Sequence, residues 1–285
     1  MSGVINGNVL LAVAANLIPQ AIAIGAYAAR YAGVTTKRIA TAISLFSLLV
    51  TASRLSALFM VPSLGALADG AANSAVAAHL NAVPPAALRV FDLQMRIIVA
   101  AGSVGILIGA LMLPMFLAGF SRGVKSFERR GSIPAALFRL LDPTVLFWLL
   151  RHLRPPKFSL ADFPISAVPR RLLIFNMLLY AVYAVGVVGA YYASVIDLNA
   201  ARTATGLSGL VNGIGTVAFA LFIDPTTALI VDQTVRDERP RRDVAAMIFW
   251  LTVTAFVGTL LAQLILVPAA EYIAAVAHIW PHGKL

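Results

Sequence analysis

The 285 residues contain no cysteine. That absence excludes disulfide frameworks, thiolate metal sites and thiol nucleophiles, and it neither implies nor forbids an oxidising compartment. Charge is scarce too, at 12% against 60% hydrophobic residues, and a mean hydropathy of +0.88 points to an integral membrane protein and away from a soluble enzyme. Catalytic clusters are missing as well. His79, His152, His278 and His282 are scattered through loops and tails without metal-ligand spacing, and Glu128 and Glu271 fall near interfaces. No paired carboxylates lie close together within one apolar run. Intramembrane proteolysis and lipid phosphatase chemistry both need such a constellation, so the sequence argues against an enzyme and calls for no metal and no cofactor.

What is present is length of apolar sequence. Six runs reach the roughly 20 residues that span about 30 Å of hydrocarbon: Val9–Ala29, Ile39–Ala66, Ile97–Phe120, Leu172–Val195, Ala204–Val231 and Val244–Ala269. The first carries no charge before Arg30 and is too long for a cleaved signal, so it reads as a retained helix whose N-terminus lies outside. With that orientation, seventeen of the twenty-two Lys and Arg residues fall in cytoplasmic loops, leaving Arg89, Arg96, Arg202 and Lys284 outside and Arg54 within the membrane. The net charge of +10 is therefore mostly topology, and no nucleic-acid partner is implied. Both termini are expected to be periplasmic.

An internal repeat organises these runs. Residues 25–69, "GAYAARYAGVTTKRIATAISLFSLLVTASRLSALFMVPSLGALAD", align with 189–232, "GAYYASVIDLNAARTATGLSGLVNGIGTVAFALFIDPTTALIVD". One gap gives thirteen identities, among them Tyr27/Tyr191, Arg38/Arg202, Pro62/Pro225 and Asp69/Asp232. Chance at a fixed register gives roughly four, which favours a real repeat. Each half holds three spans, an odd number, so the second half enters from the opposite side and the repeat is inverted. The expected fold is an all-α integral membrane protein of six transmembrane helices: residues 1–120 as the first three-helix repeat, 121–171 as a basic cytoplasmic connector, and 172–285 as the second repeat. Inverted repeats with interrupted helices are a transporter architecture with the substrate held between the halves. Pro62 and Pro225, late in the second helix of each half, are the expected breaks, since proline removes an N–H and clashes with the preceding turn.

Ionisable groups inside the runs are the candidate site. Arg54 in "TASRLSALFMVP" lies fifteen residues past Ile39, or about 22 Å along a helix, too deep to snorkel easily. An intramembrane arginine normally faces a partner or a wet cavity, and Ser47, Thr51, Ser53 and Ser56 give its helix a polar flank. Its expected partner is Asp224 in "FIDPTTALIVD", at comparable depth. An internal ion pair that orders the bundle and a substrate site are both open readings of Arg54. Arg38 with Asp232 inside, and Arg202 with Asp69 outside, form either alternating gates or ordinary interfacial caps. "GILIG" at 105–109 and "GLVNG" at 209–213 have the spacing of close helix packing, and Asn212 is a candidate interhelical hydrogen bonder. In the connector, aliphatic and aromatic residues alternate with Arg139, Arg151 and Arg154, which predicts interfacial amphipathic helices over 134–141 and 143–153 that attract anionic lipid headgroups.

The runs "YAGVTTKRIATAISLF", "SRLSALFMVP", "ARTATGLSGLVNGIGT" and "FIDP" with Asp232 resemble the Amj family, the alternate lipid II flippases of bacteria, over about seventy residues in 31–69 and 199–232. The resemblance implies a multi-pass protein of the bacterial inner membrane that moves the undecaprenyl-pyrophosphate-linked peptidoglycan precursor to the outer leaflet. The matching positions are Lys37, Arg38, Ser53, Arg54, Pro62, Asp224, Pro225 and Asp232. A guanidinium makes charge-assisted, often bidentate bonds to phosphate oxygens. The expected pyrophosphate-binding set is thus Arg54 and Ser53, with Arg38, Lys37 and Arg30 at the cytoplasmic entrance and Asp224, Asp232, Asp69 and Arg202 coupling or gating. A small-solute or ion antiporter using an Asp224–Arg54 pair is the alternative. Lipid II versus undecaprenyl phosphate and the oligomeric state are left open.

Overall fold

A computed structural model describes residues 4–130, 142–151 and 160–280. Among them there is no strand, as an apolar solvent demands: a spanning helix satisfies every backbone N–H and C=O within itself. The helices are α1 (Gly7–Thr36), α2 (Ile39–Ser53), α3 (Ala57–Ala77), α4 (Pro85–Leu111), α5 (Leu113–Arg130), α6 (Pro143–Leu150), α7 (Arg170–Ile196), α8 (Ala201–Gly206), α9 (Ser208–Ala218), α10 (Asp224–Val235) and α11 (Arg241–Ala277). Six stretches are long and apolar enough to cross a membrane: α1, α2 with α3, α4, α7, α8 to α10, and α11.

Local chemistry sets the helix ends. The Asn6 side chain accepts from the Val9 N–H at 3.0 Å and starts α1. At the other end Lys37 adopts the left-handed conformation, φ 57°, and its N–H bonds back to α1 carbonyls. The reversal into α2 is so tight that a Cβ on Gly33 would lie 2.9 Å from the Ile39 Cα, so glycine is required there.

The second and fifth spans are interrupted. A 3₁₀ turn, Arg54–Ser56, divides α2 from α3, and a π turn, Phe219–Ile223, divides α9 from α10. Pro225 follows the π turn at the start of α10, as expected of a break, whereas Pro62 lies inside α3 and the irregularity precedes it by about two turns. These two broken spans are also the least covered, while α1 packs most extensively on α4 and α7 on α11.

Glycine makes the close crossings possible. A Cβ on Gly105 or Gly109 would lie 2.5 Å from the carbonyl oxygen of Leu17 or Ala21, and one on Gly258 would lie 2.3 Å from that of Met177. The expectation for "GILIG" is therefore met. It is not met for "GLVNG": nothing lies within 4 Å of a Cβ on Gly209 or Gly213, because that face of α9 is open. Asn212 turns its Oδ1 toward Gly186 on α7 without a hydrogen-bond donor.

The third span departs from its expected bounds. It begins at Pro85 rather than Ile97 and ends at Leu111 rather than Phe120, where Pro114 opens the separate helix α5. Arg89 and Arg96 are thereby drawn into the helix. Arg96 bonds Asp92 at 2.9 Å, Tyr192 donates to Asp92 at 3.0 Å, and Arg96 and Gln263 exchange side-chain to carbonyl bonds at 2.9 Å. These bonds join α4 to α7 and α11, away from the basic loops. The expected amphipathic helix 134–141 lies outside the described residues. Of 143–153, residues 143–150 are helical and 152–153 are not described.

Candidate functional site

At the end of the bundle that carries the basic loops, α1, α2, α7 and the π turn with α10 enclose a cavity of about 410 Å³. It lies between the two interrupted spans. Among the described residues its wall is apolar except for Tyr27 and Arg30 from α1, Ser47 from α2, Tyr180 from α7, and Asp224 and Asp232 from α10.

An ion pair dominates the cavity. The Arg30 Nη2 donates to Asp224 Oδ1 at 2.7 Å, with the arginine side chain 17% exposed and the carboxylate 57% exposed. The guanidinium is thus held by its walls, while the carboxylate is the partner with room to leave. The π turn explains the placement: it inserts an extra residue just before Asp224, and Pro225 cannot supply the N–H that would restore the regular ladder. Beneath the pair, the Tyr27 hydroxyl donates to Asn176 Oδ1 at 3.4 Å, and Asn176 in turn donates to the Leu251 carbonyl and Thr254 hydroxyl at 2.9 Å. Asn176 is completely buried, so this network fixes α1 and α7 against α11 directly behind the cavity.

The partner expected for Asp224 is corrected by this geometry: it is Arg30, not Arg54. Arg30 lies six residues before the end of α1, or about 9 Å, whereas Arg54 is about 22 Å along α2 from the same end. The levels differ by too much for one carboxylate to serve both. Arg54 is exposed at the 3₁₀ turn, and no hydrogen bond or ion pair to its side chain is formed among the described residues. It nevertheless belongs to the cavity's helical face. Ile43 and Ser47 line the cavity, and Thr51 and Arg54 follow Ser47 by four and seven residues, which stacks them along the same side of α2. Ser53, by contrast, is buried, and its hydroxyl donates to the Val50 carbonyl at 2.8 Å.

Lys37 and Arg38 are exposed in the turn before Ile39, at the cavity rim. Among the described residues no ion pair joins Arg38 to Asp232 or Arg202 to Asp69, so the expected gate contacts are not seen here, although Arg38 is not without a partner. Asp69 lies one turn beyond Gly65, where a Cβ would lie 3.8 Å from the Tyr191 ring. Tyr191 and Asp69 at one end thus parallel Tyr27 and Asp232 in the cavity at the other. Sequence reasoning passed over Tyr27, although its identity with Tyr191 in the repeat was a usable signal. Tyr180 and Asn176 carried none. No cluster of three or more His, Asp or Glu that could hold a metal occurs among the described residues.

The chain is similar to known proteins over most of its length. Residues 15–277 match the family described as Amj, alternate to MurJ. The chain is also 33% identical over 251 residues, 87% of its length and 89% of the relative's, to a Bacillus subtilis (strain 168) protein named lipid II flippase Amj. No solved structure matches the chain.

Proposed function

The chain belongs to the Amj family, and from that premise we propose that it is a lipid II flippase of the bacterial cell (inner) membrane. It is a multi-pass transporter and not an enzyme. The observation that carries the reading is the cavity between the interrupted spans, in which a wall-held arginine is paired with a more exposed aspartate. A pyrophosphate is the ligand such an arginine suits: it offers several charged oxygens to a planar fork of N–H donors.

In this mechanism the basic end faces the cytoplasm, with both termini periplasmic, as the distribution of Lys and Arg favours. Lys37 and Arg38 draw in the headgroup at the rim. Asp224 yields Arg30 to the pyrophosphate, and the prenyl tail stays in lipid. The two three-helix repeats, inverted relative to one another, then rock about the α4–α11 contact. Thr51 and Arg54, further along the face of α2, receive the headgroup as it moves outward. Arg38 with Asp232, and Arg202 with Asp69, close in turn behind and ahead of it. Each step exchanges one charge-assisted contact for another, so no bare phosphate crosses hydrocarbon.

The test is to deplete the resident lipid II flippase of a bacterium and express this chain, wild type or with Arg30→Ala, Arg54→Ala or Asp224→Asn. Lipid II reaching the outer leaflet is then measured. Wild type is expected to restore it and both arginine variants to lose it. A folded wild-type chain that restores none overturns the reading. An active Arg54→Ala variant removes Arg54 from the path.

A further inference from the structure

On the opposite side of α1 lies a second cavity, of about 440 Å³, bounded by α1, α4, the start of α5 and the first half of α11. Of the fifteen described residues that line it, only Tyr31 and Thr252 carry a polar side-chain atom, and the Thr252 hydroxyl already donates to the Ile248 carbonyl at 2.8 Å. The wall therefore offers almost nothing to a phosphate or a sugar and is matched to hydrocarbon. We propose that this crevice is a binding site for one acyl chain of an anionic phospholipid, seated between the halves and separate from the transport path.

Length supports an acyl chain. Along α11 the crevice runs from Ala245 to Phe256, eleven residues or about 16 Å. This is about the depth of one leaflet of a 30 Å hydrocarbon core. A long polyprenyl chain would overrun it.

Charge supports an anionic headgroup. The face of α11 that carries Ala245, Phe249, Thr252 and Phe256 continues, one turn earlier, to Arg241 and Arg242. Both arginines are exposed, and among the described residues neither forms an ion pair. Arg239, beside them, donates to the Ala167 carbonyl at 3.4 Å, which brings the start of α7, with exposed Arg170 and Arg171, to the same spot. A phosphodiester headgroup at that level meets a cluster of guanidinium groups while its chain lies in the crevice.

The crevice also has a fixed rim. Phe163 of the connector stacks on Phe249 with centroids 4.8 Å apart, and its carbonyl accepts from the Trp250 indole N–H at 3.0 Å. A chain there touches the first half through Ile106 and Leu113, the second through α11, and the connector through Phe163. It acts as a wedge in the seam that must move during transport, which makes activity dependent on the lipid.

The inference does not depend on which lipid is carried, and its test reads lipid retention rather than transport. The full chain is reconstituted in nanodiscs of equal phosphatidylglycerol and phosphatidylcholine, released, and weighed by native mass spectrometry. Wild type is expected to retain phosphatidylglycerol at least fivefold over phosphatidylcholine. Ala245→Trp and Ala110→Trp fill the crevice from opposite walls, and either should cut retention at least fivefold while a thermal transition persists. The double variant Arg241→Gln with Arg242→Gln should keep a bound lipid but lose the headgroup preference. Undiminished retention in a folded tryptophan variant, equal retention of the two lipids by wild type, or a polyprenyl lipid held there instead would each overturn the assignment.

Discussion

Replacing Asp224 by asparagine keeps the shape of the cavity and removes only the charge that competes for Arg30. That charge is bonded to the guanidinium at 2.7 Å. Two unit charges about 4 Å apart attract by ~1 kcal/mol in water and ~4 kcal/mol at an effective dielectric of about 20. Asp224 is 57% exposed, so solvent screening pulls the attraction toward the lower limit, to roughly 1–2 kcal/mol. An anionic ligand that must displace Asp224 loses that amount. Asp224→Asn should therefore bind a water-soluble, short-chain pyrophosphate-linked analogue about 5- to 30-fold more tightly than wild type, at 1.4 kcal/mol per decade. Turnover should move the other way, because the carboxylate no longer helps to displace the headgroup from Arg30.

Two assays separate these effects: calorimetric binding of the analogue to detergent-solubilised protein, and the rate of lipid II movement in proteoliposomes. Tighter binding with slower movement is the expected pattern. Arg30→Ala should lower binding at least tenfold with little loss of stability, since the aspartate it leaves behind is half in solvent. Unchanged or weaker binding by folded Asp224→Asn would refute the exchange mechanism, for it would mean that the pair does not compete with the ligand.

Other consequences are open to measurement. Gly105→Val drives a side chain into the Leu17 carbonyl and should cost about 3 kcal/mol or more. Gly209→Ala meets nothing within 4 Å and should be neutral or stabilising by up to ~1 kcal/mol; thermal unfolding in detergent distinguishes them. Asn176→Leu removes two donated bonds from a fully buried site and should destabilise by about 1–3 kcal/mol. At the other end of the bundle, burial pushes the Asp197 carboxyl up. Bonds from His278 and from the Asn199 and Ala200 N–H groups outweigh it and hold the carboxyl below its usual range. That stabilisation is complete above the unfolded carboxylate pKa of ~3.9 and is lost as pH falls through the lower folded value. Wild type should therefore be more stable than Asp197→Ala near neutrality and lose that advantage in acid. Collapsing an inside-negative potential should slow outward movement of the anionic headgroup, which gains about 2.3 kcal/mol per charge per 100 mV; an unchanged rate in proteoliposomes would leave consumption of the precursor outside as the drive.

The legibility of this protein differs between its scaffold and its site for a physical reason. The six spans were readable because hydrocarbon imposes length and apolarity on every one of them. The third was misplaced because hydropathy counts Arg89, Asp92 and Arg96 as uncompensated, whereas Asp92 and Arg96 are satisfied by Tyr192 and Gln263, 100 and 167 residues away. The same limit hid the Arg30–Asp224 pair. Depth along a helix can be counted from sequence, so Arg54 looked like the natural partner; which helices are neighbours, and how a π turn rotates Asp224, cannot be counted. "GILIG" and "GLVNG" make the point most simply. Their spacing is identical, yet one faces α1 at contact distance and the other faces open space.

The repeat register adds an asymmetry with a consequence for direction. Aligning Gly25 with Gly189 places Arg30 opposite Ser194 and Asp224 opposite Val61. Ser194 is buried, and its hydroxyl donates to the Tyr191 carbonyl at 2.8 Å. The ion pair at the basic end thus has only neutral counterparts at the other. A headgroup held by a guanidinium inside would meet no equivalent cation at the matching outer position, so it would be captured readily on one side and released readily on the other. Such a difference shapes rates and cannot by itself drive net transport, because a ligand gains nothing over a full cycle from a site it must leave. Net movement must then come from the membrane potential acting on the headgroup charge or from removal of the precursor outside. On the proposed mechanism, then, the charge asymmetry would lower the barrier and a gradient would supply the direction.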